Sequence, residues 1–216
     1  MTATPSPRPT VTDVVFDIGN VLIRWDPARL YTRRLGSRDA AERFLAEVCT
    51  ADWNLEFDRG RSFADGIAER IAKFPQWEAE IRAWDTSWHE MVPGPIDGTV
   101  AILEDLRARA VPVWAITNFS TEKFAEAIVR FPFLTGFRDT VVSAHERLVK
   151  PDPAIYRLFL ARNRLDPATC LFVDDSPANV EAARGIGMNA VVFTSPEAFA
   201  ADLAAHGIVT TALAPR

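Results

Sequence analysis

The chain has 216 residues, 48% of them hydrophobic and 25% charged, with a formal net charge of -5. This composition belongs to a globular protein with room for one good core, or a core plus a small accessory domain, and excludes a disordered chain. It gives no nucleic-acid footprint, no apolar run reaches membrane-spanning length, and Cys49 and Cys170 are far apart, lack zinc spacing and are expected to stay reduced.

Residues 1–10 are polar and Pro-rich and read as a frayed tail, not a signal peptide, so the cytoplasm is the expected location. Residues 11–18 read as the first strand, with the apolar run Val14-Val15-Phe16 leading into Asp17-Ile18-Gly19-Asn20. The following segment holds no convincing strand. Leu30, Leu35, Phe44, Leu45 and Val48 line one helical face, while Phe63, Ile67 and Ile71 recur at i, i+4 and Ile81, Trp84 and Trp88 continue the pattern. Four of the six tryptophans, Trp53, Trp77, Trp84 and Trp88, fall in this helical insert, where Trp would serve as core. Val92-Pro93-Gly94-Pro95 reads as the hinge out of it.

Beyond the hinge, strands alternate with helices. Helices are predicted over 97–108, 121–130, 153–162 and 177–185. Strands are predicted over 109–117, beginning at Pro112 because proline disrupts a central ladder, and over Thr140–Ser143, Cys170–Val173 and Ala190–Phe193. The run 196–214 reads as one more helix and a short edge strand around Ile208-Val209. Strands that are apolar on both faces and alternate with helices define an α/β fold, a Rossmann-like parallel sheet with helices on both faces. The core would comprise 1–23 and 93–216, interrupted by the all-helical segment 24–92.

In such a sheet ligands bind beyond the carboxyl ends of the strands, which is where Asp17, Thr117, Asn118 and Asp174-Asp175 fall, with Lys150 in a Pro-rich loop able to reach them. Two adjacent carboxylates ask for a cation or a donor. Alternatively, Asp175 or Ser176 caps the helix starting near Pro177, which explains one acid better than two. Asp17 has the chemistry of a Mg²⁺ ligand and of a nucleophile, and equally of a turn aspartate. Lys150 could pair with Asp17 and with phosphoryl oxygens, while Thr117 and Asn118 could donate to a phosphate at a helix amino end or simply start that helix. His89, His145 and His206 show no metal-ligand spacing.

Four segments together resemble the haloacid dehalogenase superfamily: Phe16-Asp17-Ile18-Gly19-Asn20-Val21-Leu22, Ala115-Ile116-Thr117-Asn118, Val149-Lys150-Pro151-Asp152-Pro153 and Phe172-Val173-Asp174-Asp175-Ser176-Pro177. The resemblance makes 24–92 a helical cap. It implies that Asp17 attacks phosphorus and, with the carbonyl of Gly19, binds Mg²⁺. It further implies that Asp175 ligates the ion directly, that Asp174 ligates it or holds a metal-bound water, that Thr117 and Asn118 bind the phosphoryl group, and that Lys150 steadies both that group and Asp17. Asn179 stands where many relatives carry another acid. Gly19 stands where the family's phosphatases usually carry a second Asp as general acid and base, a pattern that resembles the glucose-1-phosphatase-like subgroup. Asp26 is the nearby acid, equally suited to capping a helix at Pro27.

The implied function is Mg²⁺-dependent hydrolysis of a small phosphorylated metabolite, such as a sugar 1-phosphate, through an aspartyl-phosphate on Asp17. One alternative is a 2-haloacid dehalogenase, in which Asp17 attacks carbon without metal and Tyr156 matches a third-motif Tyr. The other is a non-catalytic relative that binds metal or phosphate. The acid pair favours phosphate. The stretch Trp53–Gly60 is expected over the pocket, with Trp53 stacking on a sugar and Arg59 contacting an anion, unless it is a helix-helix loop with Trp53 packed inside. No nucleic-acid or membrane partner is expected, and monomer and homodimer both remain open.

Overall fold

Alternation along each strand divides the interior of the molecule into two layers. The computed structural model describes residues 10–213, so the expected tail falls outside them apart from Thr10. Five parallel strands, β1 (Asp13–Phe16), β2 (Val113–Thr117), β3 (Thr140–Val142), β4 (Cys170–Asp174) and β5 (Asn189–Val192), form one sheet in the order β3-β2-β1-β4-β5. Val14, Phe16, Val113, Ala115, Leu171 and Val173 point to one face, and Val15, Trp114, Ile116, Cys170 and Phe172 to the other. The period of two is the geometry of a pleated strand, and burial on both faces explains why these strands read as continuous apolar runs.

The elements follow the chain in order. Between β1 and β2 lie α1 (Pro27–Leu35), α2 (Arg38–Glu47), α3 (Ala51–Asp58), α4 (Phe63–Lys73), α5 (Glu78–Thr86), α6 (Trp88–Met91) and then α7 (Asp97–Ala108). After β2 come α8 (Thr121–Arg130), α9 (Ser143–Glu146) behind β3, α10 (Pro153–Asn163), α11 (Pro177–Gly185) and α12 (Pro196–Ala205). Residues of α7, α8 and α12 pack on the first face of the sheet, those of α10 and α11 on the second. The helices from α1 to α6 form an inserted all-helical cap. The chain enters and leaves it side by side, with Ile23 bridging Pro95 and the Arg24 amide donating to Gly94 at 2.9 Å.

Each early cap helix starts on a side chain that accepts from a backbone amide. Asp26 accepts from Arg29, Ser37 from Ala40, Thr50 from Trp53 and Ser62 from Asp65. Such a cap contributes about 1 kcal/mol, and Pro27 adds a pre-set φ at the first turn of α1. Asp26 is thus a helix cap.

The edge strand expected around Ile208-Val209 is absent among the described residues. After α12 the chain reverses at Gly207, whose φ is +83°, and the Ile208 amide donates to Leu203, so it is not free to extend a sheet edge. Ile208 is buried under the core while Val209 is 64% exposed. No helix among the described residues is long and apolar enough to cross a membrane.

Candidate active site

The strand order reverses direction at β1, so β1 and β4 are neighbours although the whole of residues 17–169 lies between them in the chain. A crevice therefore opens at their carboxyl ends. Asp17 follows β1, Asp174 closes β4 and Asp175 follows it. The Asp17 amide donates to the Val173 carbonyl at 2.9 Å, which extends the ladder one residue past β1. Each of the three acids offers a carboxylate oxygen within 4.8 Å of those of the other two.

Lys150 reaches into this cluster from the loop before α10. Its Nζ lies 2.7 Å from Asp17 Oδ1 and 2.6 Å from Asp174 Oδ2. The backbone of Lys150 is held on both sides by Asn118, whose Oδ1 accepts from the Lys150 amide at 2.8 Å and whose Nδ2 donates to the Lys150 carbonyl at 2.9 Å. Asn118 thus positions Lys150, and the second Nδ2 hydrogen takes no part in these bonds, so they leave Asn118 able to donate to a phosphoryl group as well.

Burial opposes charge throughout the cluster. It raises the Asp17 carboxyl to about 7, with Lys150 pulling down and Asp174 pushing up. Burial also works against the Lys150 ammonium, but Asp17 and Asp174 outweigh it and hold Lys150 above the ordinary lysine range. Asp175 is raised as well, mainly by partial burial, against a hydrogen bond from Asn20.

The two neighbouring acids do different work. Asp174 is fully buried and saturated with donors: Oδ1 accepts from the Ser176 amide at 2.8 Å and from Asn179 at 2.9 Å, and Oδ2 accepts from Asn179 at 3.1 Å as well as from Lys150. This corrects the helix-cap alternative, because Ser176 makes no side-chain cap and it is Asp174 that takes the first amide. Asp175 is open to the cavity and accepts from Asn20 Nδ2 at 3.1 Å. Asn20, in the left-handed region at φ 53°, also accepts from the Trp25 amide at 2.9 Å, so one side chain ties the β1 loop to β4 and to the cap entry. Asn179 donates to Asp174 and is no acid substitute, while the Tyr156 hydroxyl donates to the Asn179 carbonyl.

Thr117 closes β2 with its hydroxyl buried and, among the described residues, without a hydrogen-bond partner. Leaving such a group unpaired costs on the order of 1–3 kcal/mol, which a bound oxyanion beside it would recover. Gly19 lines the cavity. The clustered carboxylates and the orphaned hydroxyl fit a divalent cation and a phosphoryl group together.

The cavity above the acids holds about 500 Å³ and is roofed by the cap. Of the two readings of the stretch Trp53–Gly60, Trp53 follows the one that packs it inside, and the cavity is met by other residues of the same helix. Trp53 is 3% exposed, and its ring packs edge-on to Phe57 and Trp84 while Nε1 donates to the Gly66 carbonyl at 3.3 Å. Arg59 is exposed at the end of α3, and neither residue lines the cavity. On α3 the residues at the cavity are Ala51, Asn54 and Asp58, spaced i, i+3, i+7, whereas Trp53 and Phe57, at i, i+4, face the cap interior. That spacing was the signal that could have found Asn54 and Asp58. An aromatic wall also went unpredicted: Trp88 lies 6.5 Å from Trp25 and 5.9 Å from Phe119 between ring centres, and all three line the cavity with Phe63. Ser120 and Lys123, at the start of α8, complete the lining on the core side, with Lys123 paired to Asp85 of the cap at 2.5 Å and to Glu126 at 2.6 Å.

This architecture and this acid cluster define a class, and sequence comparison agrees with it. The chain belongs to the haloacid dehalogenase-like hydrolases, whose family pattern it matches over residues 13–187, and it is an enzyme of that hydrolase type. It is 26% identical over 211 residues to the mitochondrial (DL)-glycerol-3-phosphatase 1 of Arabidopsis thaliana, a match covering 89% of this chain and 67% of that protein. A haloacid dehalogenase family enzyme from Bacteroides thetaiotaomicron, solved in complex with magnesium and inorganic phosphate, superposes with a TM-score of 0.67 at 20% identity, covering 86% of this chain and 95% of that one. The L-2-haloacid dehalogenase of Xanthobacter autotrophicus, solved with chloropropionic acid covalently bound, gives 0.63 at 17% identity, covering 94% and 86%. At these identities the two structural likenesses establish the fold.

Proposed function

We propose that this hydrolase cleaves small phosphomonoesters, with Asp17 as the nucleophile. The observation that carries the reading is the convergence of Asp17, Asp174 and Asp175 at one crevice with Lys150 bridging the first two. A site built for a carboxylate or halide substrate gains nothing from three acids, so the carbon-attack alternative finds no support in this geometry.

In the proposed reaction Asp17 forms a bond to phosphorus as the bond to the ester oxygen breaks. Lys150 meets the charge on the transferring oxygens while keeping Asp17 in line, and the unpartnered Thr117 hydroxyl donates to one of them. Water then cleaves the aspartyl-phosphate and releases inorganic phosphate. Asp17 and Asp175, with the carbonyl of Gly19, are the residues that would hold Mg²⁺ directly. The donors already on Asp174 fit it better to holding a metal-bound water and Lys150. Bound there, the ion would neutralise the phosphoryl oxygens and the acids around them.

The core at 1–23 and 93–216 would supply this chemistry and the cap at 24–92 the specificity. The phosphate-plus-magnesium complex of the Bacteroides enzyme and the glycerol-3-phosphatase name support a metal-dependent phosphatase. The Gly19 pattern supports the glucose-1-phosphatase-like subgroup and, with it, a sugar 1-phosphate substrate. Purified protein should release phosphate from p-nitrophenyl phosphate with Mg²⁺ and stop on chelation or on Asp17→Asn. Equal turnover in chelator, or robust halide release from a 2-haloacid, would reject the proposal.

A further inference from the structure

We infer that Asp58, at the end of α3 in the cap, is the acid that protonates the leaving oxygen and the base that later activates water. This rests on the phosphoryl-transfer reading above. The need is set by Gly19, which offers no side chain where a proton must be delivered. An ester oxygen that departs unprotonated as an alkoxide is a poor leaving group, and a placed acid is worth on the order of 10²–10⁴ in rate.

Asp58 answers that need by position. It lines the same cavity as Asp17 and Lys150, and it comes from the cap rather than from the core loops. It is 9% exposed, and its one hydrogen bond among the described residues is a long one, 3.3 Å from Asn54 Nδ2 a helical turn earlier. A carboxyl buried with so little to hold it adds nothing to the stability of the cap, and a fully structural acid would be expected to carry donors as Asp174 does.

The end of α3 is also seated firmly on the core. Gly60 turns the chain at φ +93°, and a Cβ there would come within 2.8 Å of the Ala144 carbonyl in α9. Only glycine allows that approach, which places Asp58 over the crevice with the cap as it stands. The charged groups that share its cavity are Lys150, Asp17 and Asp175 from the core loops and Lys123 from α8. Burial pushes the Asp58 carboxyl up to about 7, with Lys150 pulling the other way, so near neutral pH both the acid and the base form are present.

The step balances. The proton on Asp58 moves to the ester oxygen as the phosphorus–oxygen bond breaks and Asp17 bonds to phosphorus, leaving Asp58 as carboxylate. In the second half that carboxylate takes a proton from water as the water oxygen bonds to phosphorus and the bond to Asp17 breaks, which restores both residues and frees phosphate.

The test compares p-nitrophenyl phosphate, whose leaving group needs no proton, with a series of alkyl and aryl phosphates of rising leaving-group pKa, all with Mg²⁺. In the wild-type enzyme the first-step rate should depend only shallowly on that pKa. Asp58→Asn, close in shape and able to keep the Asn54 contact, should make the dependence steep and lose 10²–10⁴-fold on alkyl esters. With the nitrophenyl ester it should keep a rapid burst of nitrophenolate followed by slow turnover. A steep dependence already in the wild type overturns the assignment without any variant, as does an Asp58→Asn enzyme whose first-step rate falls equally on every ester or on none, its melting temperature being intact. Each of those outcomes leaves Mg²⁺-dependent turnover of the nitrophenyl ester standing, whereas its absence in the wild type removes the phosphatase reading itself.

Discussion

The ammonium of Lys150 lies 2.7 Å from Asp17, and the two side chains are only 1% and 9% exposed. A pair so thoroughly removed from water is strongly destabilised when one partner is deleted, because the other is left as an uncompensated buried charge. Here a second acid, Asp174, would be stranded as well. Lys150→Met is expected to lose about 3–5 kcal/mol in urea unfolding with chelator present, and phosphatase activity should fall below detection. A variant as stable as the wild type would show that the lysine does not balance the acids.

Asp58 should make stability depend on pH. Its folded carboxyl titrates near 7, against an ordinary 3.8, so the folded state holds the proton more tightly than the unfolded state. Below pH 3.8 both states are protonated and the group is neutral to stability. As pH rises through 3.8 the unfolded state ionises first and stability falls, and the penalty is complete only above 7. Asp58→Asn should therefore match the wild type near pH 4 and exceed it at pH 8, by about 1–4 kcal/mol in chelator. The opposite trend in matched urea melts would mean that the carboxyl is not buried in a cavity short of donors.

The cap tryptophans should separate into two kinds. Trp53→Ala removes a ring packed among Phe57, Trp84 and Gly66 and should cost about 3–5 kcal/mol. Trp25→Ala, on the half-exposed cavity wall, should cost less stability and instead raise KM for substrates with an apolar or aromatic leaving group. If Trp53→Phe changed KM with stability intact, the inward placement of that ring would be wrong.

Metal should be visible in thermal stability. An ion that binds only the folded state contributes about 2.7 kcal/mol at 100 times its Kd, a rise of about 5–10 °C for a chain of this size. Mg²⁺ should give such a rise in the wild type, and Asp175→Asn, which removes the most accessible acid, should lose most of it. An equal shift in both proteins would place the ion elsewhere.

The sheet and the acid cluster were legible because the information is local. Asp17 and Asp174-Asp175 each end an apolar run whose strand character needs no tertiary context, and Pro112 marks the start of β2 just before Val113. The cap was legible as helices but not as faces. Trp53 and Asp58 lie on one short helix, and which side meets the cavity is decided by packing against Gly66 and by the seat of Gly60 on Ala144, contacts distant in sequence from one another. The edge strand at Ile208-Val209 failed for a similar reason, since a β-branched pair reads as strand until the Gly207 turn commits its amide to Leu203.

The most direct test of the central claim is acid-quench mass spectrometry during turnover of p-nitrophenyl phosphate with Mg²⁺. The expected result is a phosphoryl group on the peptide carrying Asp17 in the wild-type enzyme, absent in chelator and absent in Asp17→Asn. Steady phosphate release by the Asp17→Asn protein, or a phosphoryl group found on any other residue, would contradict it.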